Sequence, residues 1–303
     1  MGANLVRRLV ERGEEVCVLV RPSAKRWRLA GMESGVRFVE GDLEDAEGMR
    51  ALLQGIRPSV VFHLAAYGAY ADQKDAGRIL QTTVMGTWNL LQACVGAGVG
   101  MVVSAGSSSE YGTKDHPMRE DECIAPNSYY AVGKATQTHL CQYVGNAEGL
   151  PTVTLRLFSV YGPYEDPGRL IPTLIARALR GEDLLLASPE TPRDFIFVDD
   201  VVDACIAAST RPDLSGQVVN VGTGTQSTLR MAVEAILTLT GSASTPQWNT
   251  YPPRAFDPAV WVADATRLRE ILGVTPKDDL VSGLRKQIAW QQSFSGSYER
   301  HVI

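Results

Sequence analysis

Apolar positions repeat at helical spacing from the start of the chain. Across Gly2-Ala3-Asn4-Leu5-Val6-Arg7-Arg8-Leu9-Val10-Glu11-Arg12-Gly13, Leu5 and Leu9, flanked by Val6 and Val10, share one face, and Gly13 ends the run. This predicts an amphipathic helix with a glycine stop. The pattern then changes to Val16-Cys17-Val18-Leu19-Val20, a continuous apolar run of strand length that suits a parallel sheet covered on both faces, and Arg21-Pro22-Ser23 ends it. Similar short runs predict strands at 36–39, 60–64, 101–105 and 153–157, separated by helical patterns at 46–53, 79–97 and 129–145. Strand and helix in regular alternation specify a doubly wound parallel α/β sheet with right-handed crossovers. Beyond Gly149 the alternation is broken by Pro163, Pro167 and Pro172, and helical patterns recur at 171–180, 201–209, 229–240 and 280–290. The expected organisation is a sheet domain over 1–160 and, over 161–303, mainly a smaller lobe interleaved with the last strands of the sheet.

Composition narrows the class without naming a chemistry. With 303 residues, 45% of them hydrophobic and 21% charged, the chain can bury a large core and is not a disordered protein. A formal net charge of −5 with both signs mixed argues against a nucleic-acid groove as the main surface. No run of about eighteen apolar residues and no signal-peptide pattern occur, so no membrane partner is expected and a cytoplasmic location is. The cysteines Cys17, Cys94, Cys123, Cys141 and Cys205 are scattered and never form C-x-x-C, which reads as reduced thiols. The four histidines are dispersed without ligand spacing, and no metal site is expected.

The candidate chemistry centres on Asn127-Ser128-Tyr129-Tyr130-Ala131-Val132-Gly133-Lys134. If Pro126-Asn127-Ser128 opens a helix, Tyr130 and Lys134 leave one face a single turn apart. A phenol titrates near ~10, and an ammonium beside it favours the phenolate, which makes the pair an acid/base device. The same spacing also describes a surface tyrosine beside a solvated lysine. In a doubly wound sheet the ligand lies beyond the carboxyl ends of the strands. There, Gly41-Asp42-Leu43 offers a carboxylate to an adenine amine, or else Asp42 caps a helix. Ala65-Ala66-Tyr67-Gly68 is small enough for a ligand to lie against backbone, and Gly106-Ser107-Ser108-Ser109-Glu110-Tyr111-Gly112 is rich in hydroxyls.

Gly41-Asp42-Leu43, His63-Leu64-Ala65-Ala66, Ser107 before Tyr111-Gly112, Tyr130 with Lys134, Arg156-Leu157-Phe158-Ser159-Val160-Tyr161-Gly162-Pro163 and Arg193-Asp194-Phe195-Ile196-Phe197-Val198-Asp199-Asp200 occur in that order. Together they resemble the extended short-chain dehydrogenase/reductases, and within them the NAD(P)-dependent nucleotide-sugar epimerases, dehydratases and 4-ketoreductases. The resemblance runs from Gly2 to about Trp290. It implies a Rossmann sheet, a bound NAD(P) and a nucleoside-diphosphate sugar as substrate, with Ser107, Tyr130 and Lys134 catalytic. It further implies cofactor contacts from Gly2, Arg21, Ser23, Asp42, Leu43, Ala65, Ala66, Phe158 and Val160 besides Tyr130 and Lys134. Substrate contacts are implied for Ser108, Ser159, Arg193, Arg254 and Asp257. Arg193 and Arg254 suit a diphosphate because a guanidinium fork bonds phosphate oxygens bidentately, although Arg193 could instead bridge to Asp194 or Asp199. In this family a first strand leads into a G-x-x-G-x-x-G turn, and Gly2 stands where the third glycine does. The first strand and two glycines are therefore expected to be missing from the sequence, and cofactor binding to be weakened. Val20 occupies the place where NAD enzymes of this fold carry an acidic residue, and Arg21, Ser23, Lys25 and Arg26 follow, so the cofactor reading leans to NADP.

What the resemblance implies is oxidoreduction at a sugar carbon, C4 before others. Ser108 and Ser109 stand where the 4,6-dehydratases carry an Asp-Glu pair, which disfavours dehydration and leaves 4-epimerisation or 4-ketoreduction. The alternatives are a reductase of a non-sugar carbonyl compound and a non-catalytic nucleotide-binding protein. A homodimer is expected, because the helices at 79–97 and 129–145 carry more apolar residues than one sheet face needs, among them Leu80, Val84, Trp88, Leu91, Leu140 and Val144.

Overall fold

The computed structural model describes residues 1–70, 72–251 and 259–298, with side chains to 294. The first part of the chain alternates as α1 (Gly2–Glu11), β1 (Val16–Val20), β2 (Val36–Glu40), α2 (Ala46–Ile56), β3 (Val60–His63), α3 (Ala76–Leu80), α4 (Gly86–Ala97), β4 (Met101–Ser107), α5 (Tyr129–Ala147) and β5 (Thr152–Leu157). There follow β6 (Ser159–Tyr161), α6 (Leu170–Arg180), β7 (Leu184–Leu185), β8 (Pro192–Arg193), β9 (Phe195–Phe197) and α7 (Val198–Ser209). The chain continues through β10 (Gln217–Val221), β11 (Ser227–Thr228), α8 (Leu229–Thr240), β12 (Pro246–Gln247), α9 (Thr266–Glu270) and α10 (Leu280–Tyr298).

The sheet is parallel and of Rossmann type. Four strands run in the order β10-β5-β4-β3, with Val60 opposite Met101, Val103 opposite Val153 and Val153 opposite Gln217. A second parallel pair, β1 and β2, starts at Val16 opposite Val36. Alternation along the strands sends side chains into two apolar layers. On one face Val102 joins Leu19, Val61, Met49, Leu53, Leu90, Leu91, Cys141 and Val144, which packs α2, α4 and α5 over both blocks. On the other, Met101, Val103, Val153, Leu155 and Val219 meet Leu5 of α1 and Val201, Val202 and Cys205 of α7. Covered on both faces, β4 is buried along its whole length, and its Ser104 is satisfied there by the Gln137 amide. A third cluster joins Tyr161, Phe195 and Phe197 to the inner faces of α6, α8 and α10.

Local chemistry sets the helix ends. Ser128 Oγ accepts from Ala131 N at 3.2 Å to start α5, and Asp45 Oδ1 accepts from Gly48 N at 2.9 Å to start α2. Gly98, at φ +69°, stops α4 in the left-handed region.

Three departures from the sequence pattern have physical causes. The helix expected at 79–97 begins at Ala76 and widens into a π turn at Gln81–Met85, where Thr83 lies against Gly133 of α5; a Cβ added to Gly133 would come within 3.3 Å of Thr83 Cβ. Strand β10 escaped notice because Asn220 interrupts its apolar run, and its side chain is satisfied by Met118 O at 2.8 Å and the Tyr111 hydroxyl at 2.7 Å. The expected surplus face is also corrected. Leu91 and Val144 are fully buried in the core, and the apolar groups left outside on α4, α5 and the turn before α4 are Met85, Trp88, Tyr129, Val132 and Tyr143. Among the described residues no helix is long and apolar enough to cross a membrane.

Candidate active site

Strand β4 delivers Ser107 to the carboxyl edge of the sheet, where a short 3-10 turn (Ser108–Tyr111) begins. Ser107 closes a capping box: its Oγ accepts from Ser109 N at 3.2 Å, and its backbone N–H donates to Glu110 Oε1 at 2.8 Å. Helix α5 lies beside this turn. Its Tyr130 is placed beside Ser107, whose side chain pulls the phenol down. One turn further, buried Lys134 donates from Nζ to Ala105 O of β4 at 2.9 Å and to Gln137 Oε1 at 3.1 Å. Gln137 is held in turn by Ser104 Oγ at 2.8 Å. Ser107 and Tyr130 thus adjoin, with Lys134 one helical turn along α5 and bonded to the strand that carries Ser107.

The electrostatics there differ from the expectation that Lys134 lowers the phenol. Burial pushes the Tyr130 phenol up from its ordinary value, the Ser107 hydrogen bond and the Arg169 charge pull it down, and Glu110 adds to the rise. Lys134 is brought down to about 8, first by burial, with Glu110 and Cys141 opposing. The ammonium has found neutral acceptors, so desolvation outweighs attraction. His63, at the end of β3, is driven to about 3 by burial and by Lys134 and stands neutral, sharing a 2.8 Å hydrogen bond with Thr87 Oγ1.

Beneath Ser107 lies a polar layer that sequence reasoning missed. The carboxylate of fully buried Glu110 accepts, at Oε2, from Thr138 Oγ1 of α5 at 2.9 Å and from Arg156 Nε of β5 at 2.8 Å. The Arg156 guanidinium covers the Tyr111 ring at 4.6 Å, and Tyr111 reaches Asn220 of β10. A charged residue inside the apolar run of β5 was the available signal.

The other candidates spread along the carboxyl edge. Gly2 opens α1 against Leu64, the residue after β3: a Cβ on it would stand 3.7 Å from Leu64 Cδ1. Arg21 and Ser23 are exposed just past β1, and Arg21 makes no ion pair with a described residue, whereas Arg26 pairs with Glu40 at 3.1 Å. Asp42 is exposed with Oδ1 accepting from Glu44 N at 3.1 Å, Leu43 is buried, and Ala65 and Ala66 line the exposed loop after β3. Ser108 is buried in the turn, and Ser159 N donates to Asp194 O at 2.9 Å. The Phe158 side chain packs into a cluster with Tyr111, Met118 and Ala263, while Val160 is half-buried.

Arg193 does not bridge to Asp194 or Asp199. Asp194 accepts from Thr223 N, Thr223 Oγ1, Gly224 N and Ala263 N at 2.7–3.1 Å, and Asp199 faces Arg8 at 3.8 Å. The Arg193 guanidinium lies 5.8 Å from the Trp261 ring centroid. The calls on Arg254 and Asp257 lie outside the described residues. Among the described residues no group of three or more His, Cys, Asp or Glu could hold a metal ion.

These residues fit a dinucleotide. At Gly41 a Cβ would press Leu19 Cδ1 at 3.0 Å, so the backbone there lies close and bare beside the Asp42 carboxylate. Ala65 and Ala66 keep the neighbouring loop low, and Lys134, bonded to Ala105 O and Gln137 Oε1, has one N–H beyond those two bonds.

Comparison with known proteins identifies a family. The model of the NAD dependent epimerase/dehydratase family matches residues 1–222. A UDP-glucose 4-epimerase of Mycolicibacterium smegmatis is 34% identical over 299 residues, covering 95% of this chain and 94% of its own. Among solved structures, the UDP-glucose 4-epimerase of Thermus thermophilus in complex with NAD superposes with a TM-score of 0.85 at 30% identity, covering 98% of this chain and 96% of that one. MoeE5 in complex with UDP-glucuronic acid and NAD does so with a TM-score of 0.85 at 33% identity, over 96% and 95% of the two chains.

Proposed function

Because the chain belongs to the NAD dependent epimerase/dehydratase family and is an enzyme of that class, we propose that it inverts a hydroxyl-bearing carbon, C4, of a nucleoside-diphosphate hexose. The observation that carries this reading is Tyr130 set beside Ser107, with Lys134 buried one turn behind it on Ala105 O. Tyr130 takes the proton of the sugar hydroxyl as the carbon is oxidised and returns it when the ketone is reduced from its other face. Ser107 Oγ donates to the sugar oxygen as negative charge grows on it, which needs a donor fixed in advance. Lys134, hydrogen-bonded to two neutral acceptors, is assigned to a ribose hydroxyl of the cofactor.

NAD(P), held by Gly2, Arg21, Ser23, Asp42, Leu43, Ala65, Ala66, Val160, Tyr130 and Lys134, supplies the hydride acceptor and donor when bound. Arg193 and the aromatic face of Trp261 are assigned to the diphosphate and nucleoside of the substrate, with Ser108 and Ser159 toward the sugar. Ser108 and Ser109 beside Ser107 offer no carboxylate for eliminating water. A second reading, a 4-ketoreductase using NADPH, is favoured by one observation: Arg21, exposed just past β1 and without an ion pair to a described residue, suits a 2′-phosphate. The exposed Met85, Trp88, Tyr129, Val132 and Tyr143 support a homodimer that joins α4 and α5 to their mates.

The test is a thermal-shift screen with NAD, NADP, UDP, GDP, CDP and dTDP, followed by incubation with UDP-glucose and analysis for the C4 epimer. A ligand that binds only the native state raises the midpoint by mass action. Stabilisation by a dinucleotide and by a nucleoside diphosphate, with interconversion of C4 epimers, is the expected result. Stabilisation by NADP alone, with NADPH consumed by a 4-keto sugar nucleotide, selects the ketoreductase. A response to neither class of ligand overturns both readings.

A further inference from the structure

We propose that Glu110 is a positioning residue for this reaction, its carboxylate fixing Ser107 against the helix that carries Tyr130 and Lys134. The inference rests on the functional reading above and deepens it. Three donors from three elements converge on this one group: Ser107 N at the end of β4 (2.8 Å), Thr138 Oγ1 on α5 one turn beyond Lys134 (2.9 Å) and Arg156 Nε on β5 (2.8 Å). Fully buried, it exchanges none of them with water.

The strand makes room for it. A Cβ on Gly106 would lie 2.7 Å from Glu110 Oε1, 2.9 Å from Thr154 Cγ2 and 3.2 Å from Arg156 Cγ, so the residue before Ser107 is bare where the carboxylate passes.

Stability alone does not account for the arrangement. A buried ion pair is weak as a stabilising device, and apolar side chains would join the same three elements as well. Arg156 even leaves Nη1 buried without a hydrogen bond to any described residue. What the carboxylate provides is geometry. Hydrogen bonds tolerate a few tenths of an ångström, so Ser107 cannot shift relative to Thr138, and Thr138 is rigidly tied along α5 to Lys134 and Tyr130.

The test uses the whole chain with NAD and UDP-glucose, comparing Ser107→Ala, Glu110→Gln, Ser107→Ala with Glu110→Gln, and Glu110→Gln with Arg156→Met. Glutamine turns an N–H toward Arg156, whereas in the last variant that amide meets only the Thr138 hydroxyl. Glu110→Gln is expected to lower kcat by about 10²-fold with KM and calorimetric NAD affinity within about twofold, because the donor it aims acts on the developing charge. The double variant with Ser107→Ala should be no slower than Ser107→Ala alone, since the effect passes through Ser107. Adding Arg156→Met should recover at least about tenfold of kcat.

Losses that multiply in the Ser107 double variant, full kcat in Glu110→Gln, or no recovery on adding Arg156→Met would each overturn the assignment. If Glu110→Gln fails to fold, the neutral Glu110→Gln, Arg156→Met protein with and without Ser107→Ala runs the same additivity test. An active Ser107→Ala enzyme would instead overturn the functional reading. An inactive Ser107→Ala beside a fully active Glu110→Gln overturns only the role of Glu110.

Discussion

Replacing Lys134 with methionine should abolish turnover without a matching loss of stability, and the structure gives the size of the effect. In the folded protein Lys134 titrates at about 8, against an ordinary 10.5. Each unit is worth about 1.4 kcal/mol, so folding around the charged amine costs about 3 kcal/mol relative to the neutral one. Between those two values the unfolded chain binds the proton more tightly than the folded protein does. Stability therefore rises with pH from about 8 toward 10.5, and the full cost is present below 8. Lys134→Met removes the charge, leaves Gln137 Oε1 without its 3.1 Å donor, and so gives back about 1–3 kcal/mol of the gain. At pH 7 the variant should be as stable as the parent or up to about 2 kcal/mol more stable. The decisive quantity is the difference between the two proteins across pH, in which other titrating groups cancel. Urea unfolding from pH 7 to 10.5 should show the variant's relative stability falling by about 3 kcal/mol over that range. A constant difference would refute the buried, charged lysine that the argument requires.

Tyr130→Phe removes only the hydroxyl that moves the proton, so hydride transfer should be lost with the unfolding midpoint unchanged; more than a few per cent of parental turnover would defeat the assignment. Gly112→Ala places a Cβ against Ala125 O in backbone at φ +69° and ψ −147°, a region that L side chains rarely enter, and should cost at least about 3 kcal/mol in urea unfolding. A loss under about 1 kcal/mol would mean that the loop relaxes freely. Trp88→Glu puts a charge on the exposed apolar face of α4 and should convert a dimer to a monomer by light scattering at micromolar concentration; a monomeric parent would rule the dimer out.

The strands and helices were legible where local pattern and local chemistry agree. Helix α8 is read to its end residues, since Thr228 caps it, accepting from Met231 N at 3.2 Å, and Gly241 stops it at φ +64°. The π turn was not legible, because what occasions it is Gly133, far along the chain and contributed by another helix. Tyr130 and Lys134 could be picked out because four residues is one helical turn. Glu110 could not, for its partners Thr138 and Arg156 lie 28 and 46 residues away. The direction of the Tyr130 shift was misjudged for a related reason. Spacing supplies the neighbour, but the depth of burial, which decides whether a charged form is favoured, is a property of the assembled sheet.

That depth connects the two buried charges beneath the site. Glu110 is the carboxylate nearest in effect to Lys134 and holds its proton on, yet the lysine still titrates low. Arg156 and Thr138 occupy Glu110 Oε2 and Ser107 N donates to Oε1, and the ammonium makes no direct bond to this carboxylate. Lys134 therefore turns to the Ala105 carbonyl and the Gln137 amide, which orient it without neutralising it. A full salt bridge would fix the proton well above the working pH and tie up the N–H proposed for a ribose. A lysine with no carboxylate nearby would lose its charge under the same burial. Placing the carboxylate one layer away, committed to Arg156, holds the amine between those limits and so leaves it charged and available at neutral pH.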